Sequence, residues 1–146
     1  MNRIKTTTSI LILTYTLSSH AENGNGELML KITGLKNEQG QVVANLFCEG
    51  MDVMQIENSC RRLQSTINGK QAELVFHNLP YGTYAVSLFH DENNNGTLDH
   101  NFLHLPAEAL GFSNGFKLSL FSGLPSFEKL QFTMEQQAME IDIELN

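Results

Sequence analysis

Residues 139–145 read Met-Glu-Ile-Asp-Ile-Glu-Leu, apolar at every odd position and acidic at every even one. A period of two sends successive side chains to opposite faces of an extended chain, so this segment is a strand with one dry face and one wet face. The same alternation recurs upstream. Leu28, Leu30 and Ile32 alternate with Met29, Lys31 and Thr33, and Val42, Ala44 and Leu46 lead to Cys48. Ala72, Leu74 and Phe76 alternate with Glu73, Val75 and His77, and Tyr84, Val86 and Leu88 follow the tight corner Pro80-Tyr81-Gly82. Leu130, Phe132 and Met134 are expected to run beside the last strand. Polar turns such as Lys36-Asn37-Glu38-Gln39-Gly40 separate these runs, and no segment keeps a helical period. Six to seven strands on this spacing imply an all-β fold, a single antiparallel β-sandwich. Short helical turns are expected at 106–110 and 125–130, each opened by a proline.

The chain opens with Arg3 and Lys5, continues through Ile10, Leu11, Ile12, Leu13, Tyr15 and Leu17, and offers Ser19 and Ala21 as small residues. That order predicts a signal peptide over residues 1–21, cleaved after Ala21, and a periplasmic or secreted mature chain. The apolar run is short of the roughly 20 residues that cross a bilayer, and no later segment is a candidate, so the chain is expected not to span a membrane. Residues 22–146 then form one domain with a single core. Arg3 and Lys5 leave with the leader, which takes the net charge from −7 to −9. An acidic chain whose only basic pair is Arg61-Arg62 repels nucleic acid and anionic lipid headgroups, so no nucleic-acid partner is expected.

Cys48 and Cys60 are the only cysteines. In an oxidising compartment they are expected to form a disulfide, and two buried thiols are the alternative. Two cysteines alone are too few for a tetrahedral zinc site.

Between Asn78 and Asn114 the chain carries Phe89-His90-Asp91-Glu92-Asn93, then Asn95-Gly96, Leu98-Asp99, Asn101-Phe102 and Gly111-Phe112-Ser113-Asn114, with Pro125-Ser126-Phe127-Glu128 near the end. On these residues the chain resembles the exported bacterial proteins of domain-of-unknown-function family 2141, over nearly the whole mature length. The resemblance implies a sandwich fold and no particular activity. Cys48, Cys60 and His104 depart from the family's usual pattern, so the disulfide would be private to this chain. A looser likeness connects the same loop to B-type repeats of bacterial surface adhesins, which place calcium-binding loops on a transthyretin-like (prealbumin-like) sandwich.

The loop has its own chemistry. Asp91, Asn93 and Asn95 set side-chain oxygens at positions one, three and five, Gly96 permits a sharp turn at six, Thr97 offers a carbonyl at seven, and Asp99 stands at nine. This is the spacing of an EF-hand calcium loop, in which alternate residues aim hard oxygens at one point. Position twelve, where a bidentate Glu belongs, is Phe102. With two formal charges the site would hold Ca2+ weakly, or need a further oxygen from Glu92 or Glu108. The competing reading is a plain turn, since Asn95-Gly96 is a strong hairpin dipeptide and Asn and Asp cap neighbouring amides. His90, His100 and His104 surround the loop. The i, i+4 pair His100 and His104 would share a metal only on a helix, which Pro106 opposes, so surface or strand-end histidines are expected.

Gly111-Phe-Ser113-Asn-Gly115 spells the nucleophile elbow of α/β hydrolases, but no histidine follows Ser113 and no strand alternates with a helix. A glycine-rich turn is expected there. Two function classes follow. One is a non-enzymatic envelope module that binds a protein, glycan or small ligand through its loops. The other is a small metal-assisted enzyme centred on the Asp91–His104 segment. A buried pocket of convergent polar groups beside the loop would favour the enzyme, and an exposed loop face the module.

Overall fold

The computed structural model describes residues 24–146; the signal peptide expected over 1–21 lies outside the described residues. Eight strands follow in chain order: β1 (Asn25–Thr33), β2 (Gln41–Cys48), β3 (Arg61–Thr66), β4 (Ala72–Pro80), β5 (Gly82–Asp91), β6 (Leu110–Phe112), β7 (Phe132–Met134) and β8 (Ala138–Glu144). A single turn of α-helix, α1 (Phe127–Leu130), precedes β7, and a 3-10 turn covers Ile56–Asn58. The strands form two sheets, ordered β4-β1-β8 and β3-β2-β5-β6, with β7 pairing the start of β5. Packed face to face they make the expected sandwich.

Its core lies between the sheets. Leu28, Leu30 and Ile32 of β1 meet Val42, Ala44 and Leu46 of β2 and Val86 and Leu88 of β5, all buried. These are the positions that the period of two assigns to the dry face. Burying side chains of this size contributes roughly 1.5–3 kcal/mol each against leaving them in water, an upper figure because unfolded chains are partly compact.

Several expectations are corrected. The sandwich is not wholly antiparallel: β8 pairs β1 in parallel, Leu30 beside Ile141. β8 is entered from β7, which pairs in the other sheet, so no hairpin sets its direction, and its alternation fits either sense. Eight strands form rather than six or seven, because β3 and β6 are also paired. The segment ending in Met134 does not flank β8; Phe132 pairs Tyr84 and Met134 pairs Gly82 of β5. Residues 106–110 make no helical turn, since Pro106 bridges to His100 and Leu110 begins β6. The turn expected over 125–130 does form, as α1.

The outer face of the five-stranded sheet is also dry over β2 and β5. Val43, Asn45 and Phe47, which alternation places on the wet side of β2, are fully buried. Phe47, Ala85, Phe112 and Leu130 form a second apolar cluster with Val53, and Met51, Ile56, Phe116 and Phe127 pack against it. Those covering residues belong to the β2–β3 and β6–β7 connections, which fold back across the sheet. Cys48 and Cys60 are disulfide-bonded, with Cα atoms 5.9 Å apart. The bridge clips the β2–β3 connection at both ends, holding Met51, Val53 and Ile56 over Phe47. A disulfide in a chain of this kind is consistent with an extracytoplasmic compartment.

Candidate functional site

β5 carries the candidate loop at its C-terminal end. Its last residue, Asp91, is fully buried beside Gln41, its cross-strand partner. The Asp91 carboxylate accepts three hydrogen bonds: from the Gln41 amide (2.7 Å), the Asn95 N–H (3.1 Å) and the Gly96 N–H (2.8 Å). A buried anion needs such donors, and hydrogen bonds to a charged group contribute roughly 1.5–3 kcal/mol apiece. The loop therefore winds around Asp91. Two left-handed residues permit the winding, Asn94 (φ 59°) and Gly96 (φ 74°). The turn before β2 closes over the root: Gly40 (φ 74°) lies so near that a Cβ there would overlap the Asp91 carbonyl oxygen.

The remaining candidates converge above that anchor. Asn93 Oδ1 accepts from the Asn95 N–H (3.0 Å), and Asn95 Oδ1 accepts from the N–H (2.8 Å) and hydroxyl (2.9 Å) of Thr97. Both Asn side chains donate to the Asp99 carboxylate, Asn93 at 2.6 Å and Asn95 at 3.0 and 3.1 Å. Asp91, Asn93, Asn95, Thr97 and Asp99 are thus linked in one hydrogen-bonded cluster. In this arrangement amide N–H groups face Asp99. A cation at the centre would displace those donors and draw the amide oxygens round instead.

Of the two further acids singled out by position, Glu108 joins the loop and Glu92 does not. Glu108 accepts from the N–H of Glu92 (3.3 Å) and of Asp99 (3.2 Å), tying the two ends of the loop together. Glu92 points instead to the Asn37 amide, 3.1 Å away. Burial is the main cause that raises the Glu108 pKa above the ordinary 4.5; the Asp99 and Glu92 N–H groups pull it back, and the Asp99 and Asp91 charges push it up. Glu108 is the one residue of the loop's hydrogen-bonded frame that position alone left optional. Among the described residues, no three His, Cys, Asp or Glu side chains come together as a metal cluster. Amide and carbonyl oxygens would have to complete any cation site here.

The three histidines take no part in the cluster. His100 and His104 are exposed and flank a tight turn in which Asn101 Oδ1 accepts from the N–H groups of Leu103 (2.9 Å) and Leu105 (3.2 Å). His90 is a buried strand-end histidine whose Nε2 lies 2.7 Å from the Gln39 carbonyl oxygen. Ser113, the serine of the elbow-like motif, is fully buried. It donates to the Leu130 carbonyl (2.6 Å) and accepts from the Val86 N–H (2.9 Å), joining the end of β6 to β5 and α1. It is a structural serine in a turn, as the missing histidine implies. Sequence reasoning passed over Asn45, which is buried and finds no side-chain hydrogen bond among the described residues. Its signal was an Asn set between Val43 and Phe47 on one face of β2.

The turn that follows the loop is conspicuously apolar. Phe102, Leu103 and Leu105 are 90%, 61% and 56% exposed. Among the described residues no helix is long and apolar enough to cross a membrane.

No curated protein and no solved structure matches the chain. One family model, described as an uncharacterized protein conserved in bacteria (DUF2141), matches residues 30–142. The match runs from within β1 to within β8 and takes in the whole loop, and the chain belongs to this bacterial family.

Proposed function

We propose that this chain is an exported, non-enzymatic β-sandwich module, periplasmic or secreted after cleavage at Ala21. In this reading its Asp91–Asp99 loop binds Ca2+ weakly, and the adjoining Phe102–Leu105 turn meets an envelope protein, a glycan or a small ligand. The observation that carries the proposal is the winding of the loop around buried Asp91. Its carboxylate fixes the Asn95 and Gly96 amides, and the Asn93, Asn95 and Asp99 side chains converge on the outer side. A turn needs only the first of these features. The convergence of oxygen-bearing side chains supports the cation.

Exposure supports a binding module over an enzyme. Asn93, Asn95 and Thr97 face solvent. The shallow groove lined by Glu27, Met29, Val75 and Glu140 lies on the outer face of the other sheet.

Calcium that binds only the folded chain stabilises it by RT ln(1 + [L]/Kd). With Kd around 10⁻⁴–10⁻³ M, the range of extracellular modules, about 10 mM calcium adds about 1.4 to 2.7 kcal/mol, or several degrees in Tm. Magnesium, which parts reluctantly with its water, adds much less. Asp99→Asn keeps the shape of the half-buried side chain and removes its charge, so it is expected to fold normally and lose the calcium response. Equal melting of wild type and Asp99→Asn, in calcium and in chelator, would leave the loop a turn only.

A further inference from the structure

The connection between β6 and α1 reaches its tip in a turn at 119–122. Its two central side chains, Leu120 and Phe121, are 99% and 98% exposed, and Leu124 beside them is 68% exposed. Surface turns ordinarily carry Gly, Asn, Asp or Ser at such positions. Here the serines stand at the flanks and bond the turn's own backbone. Ser119 Oγ accepts from the N–H of Phe121 (3.3 Å) and of Ser122 (3.1 Å), and Ser122 Oγ accepts from the Ser119 N–H (2.9 Å). Lys129 Nζ donates to the carbonyls of Ser122 (2.9 Å) and Leu124 (2.8 Å). The turn thus satisfies much of its own backbone and presents hydrocarbon outward, so taking it out of water strands few polar groups. Its root is fixed: Phe116 packs edge-on against Phe112, with centroids 5.4 Å apart, and Lys129 Nζ lies 5.6 Å from the Phe116 centroid.

Charge separates this segment from the rest of the molecule. Residues 109–127 contain no acid, and their single charged residue is Lys117, in a chain of net charge −7. We propose that Leu120, Phe121 and Leu124 form a wedge that enters the interfacial layer of a zwitterionic bilayer and holds the sandwich reversibly at a membrane surface. A protein interface carries roughly one hydrogen bond per 100–200 Å², and this tip already commits its serine hydroxyls and the Lys129 ammonium to its own backbone. Locally the acid-free segment lets the tip approach headgroups, while the net negative charge of the whole chain disfavours an anionic surface. The wedge is independent of the calcium loop.

The chain contains no tryptophan, so Phe121→Trp supplies a single fluorophore at the tip and Phe102→Trp one at the other apolar turn. Both variants are prepared in protein recovered after export and mixed with phosphatidylcholine or phosphatidylglycerol vesicles. The Phe121→Trp emission is expected to shift to the blue and to be quenched by bromine-labelled acyl chains, more with phosphatidylcholine, while Phe102→Trp stays at its buffer value. Adding Leu120→Ser and Leu124→Ser to Phe121→Trp is expected to lower the vesicle-bound fraction on the order of tenfold or more, since apolar area drives the insertion. The fold should be unchanged by circular dichroism, because these exposed side chains bury little in the sandwich. An unshifted Phe121→Trp spectrum overturns the proposal, as does a shift with anionic vesicles alone or an equal shift at both positions. A shift caused by lipid-free envelope protein and not by vesicles overturns it in favour of a protein partner.

Discussion

The two sheets of this sandwich are built on the same alternation and meet different fates. In the three-stranded sheet the outer face stays wet. Met29 is half-exposed, and Lys31 pairs with Glu140 at 2.8 Å across β1 and β8 in the open. In the five-stranded sheet the outer face around Phe47 and Ala85 is roofed by the β2–β3 and β6–β7 connections, and Phe47 is as buried there as Leu46 is on the inner side. A sheet covered on both faces ties its chemistry to the segments that cover it. The disulfide, the buried Ser113, the calcium-loop candidate and the apolar tip all belong to the covered sheet or its connections. The wet sheet supplies half of the core and carries none of them.

The comparison breaks most readily at Phe47. Truncating it to alanine removes the centre of the outer cluster and is expected to cost about 3–5 kcal/mol. Met29→Ala, on the wet face, is expected to change stability by about 0.5 kcal/mol. Urea unfolding of the two variants measures the contrast, and equal losses would mean that the roof over the five-stranded sheet is not closed in solution. The disulfide is next in size. Replacing Cys48 and Cys60 by alanine frees the connection that carries Val53 and is expected to cost about 3 kcal/mol by the chain-entropy relation. Reduction of wild type should reproduce that loss in the same unfolding experiment, and an unchanged midpoint would show that the β2–β3 roof holds without its clip.

The same contrast explains what the sequence disclosed. β1 and β8 were legible because a half-wet strand writes its orientation as alternating polarity, as in 139–145. β2 and β5 are legible as strands, but alternation alone hides their second apolar face, although Val42-Val43-Ala44 and Leu88-Phe89 are unbroken apolar runs. Such runs are what two covered faces require. The parallel sense of β8 was hidden because alternation reads the same in either direction. In the loop, Asp91, Asn93, Asn95 and Asp99 were found by spacing, since ligands or hydrogen-bond partners within one turn must recur at fixed intervals. Glu108 came from across the β5–β6 connection, and only folding shows that it bridges both loop ends.

Glu108 gives a smaller test of that geometry. Its pKa lies above 4.5 chiefly because of burial. The folded state binds that proton more tightly than the unfolded state does. The contribution of Glu108 to stability is therefore fully present below the unfolded value and lost as pH rises through the raised folded one. A carbon-13 titration of its side-chain carboxyl should give a midpoint above 4.5 in calcium-free protein. A midpoint at or below that value would mean that the carboxylate is not enclosed by the loop.

Calcium binding by the Asp91–Asp99 loop is tested most directly by proton–nitrogen correlation spectra recorded while calcium is added to chelator-treated protein. The expected result is a progressive movement of the Gly96 amide and of the Asn93 and Asn95 side-chain amides, half complete at about 10⁻⁴–10⁻³ M. Leu120 and Phe121 at the far tip should stay in place, and Asp99→Asn should abolish the movement. If those amides stay fixed at about 10 mM calcium, or move equally in Asp99→Asn, the loop is held by its own hydrogen bonds and does not bind the ion at physiological strength.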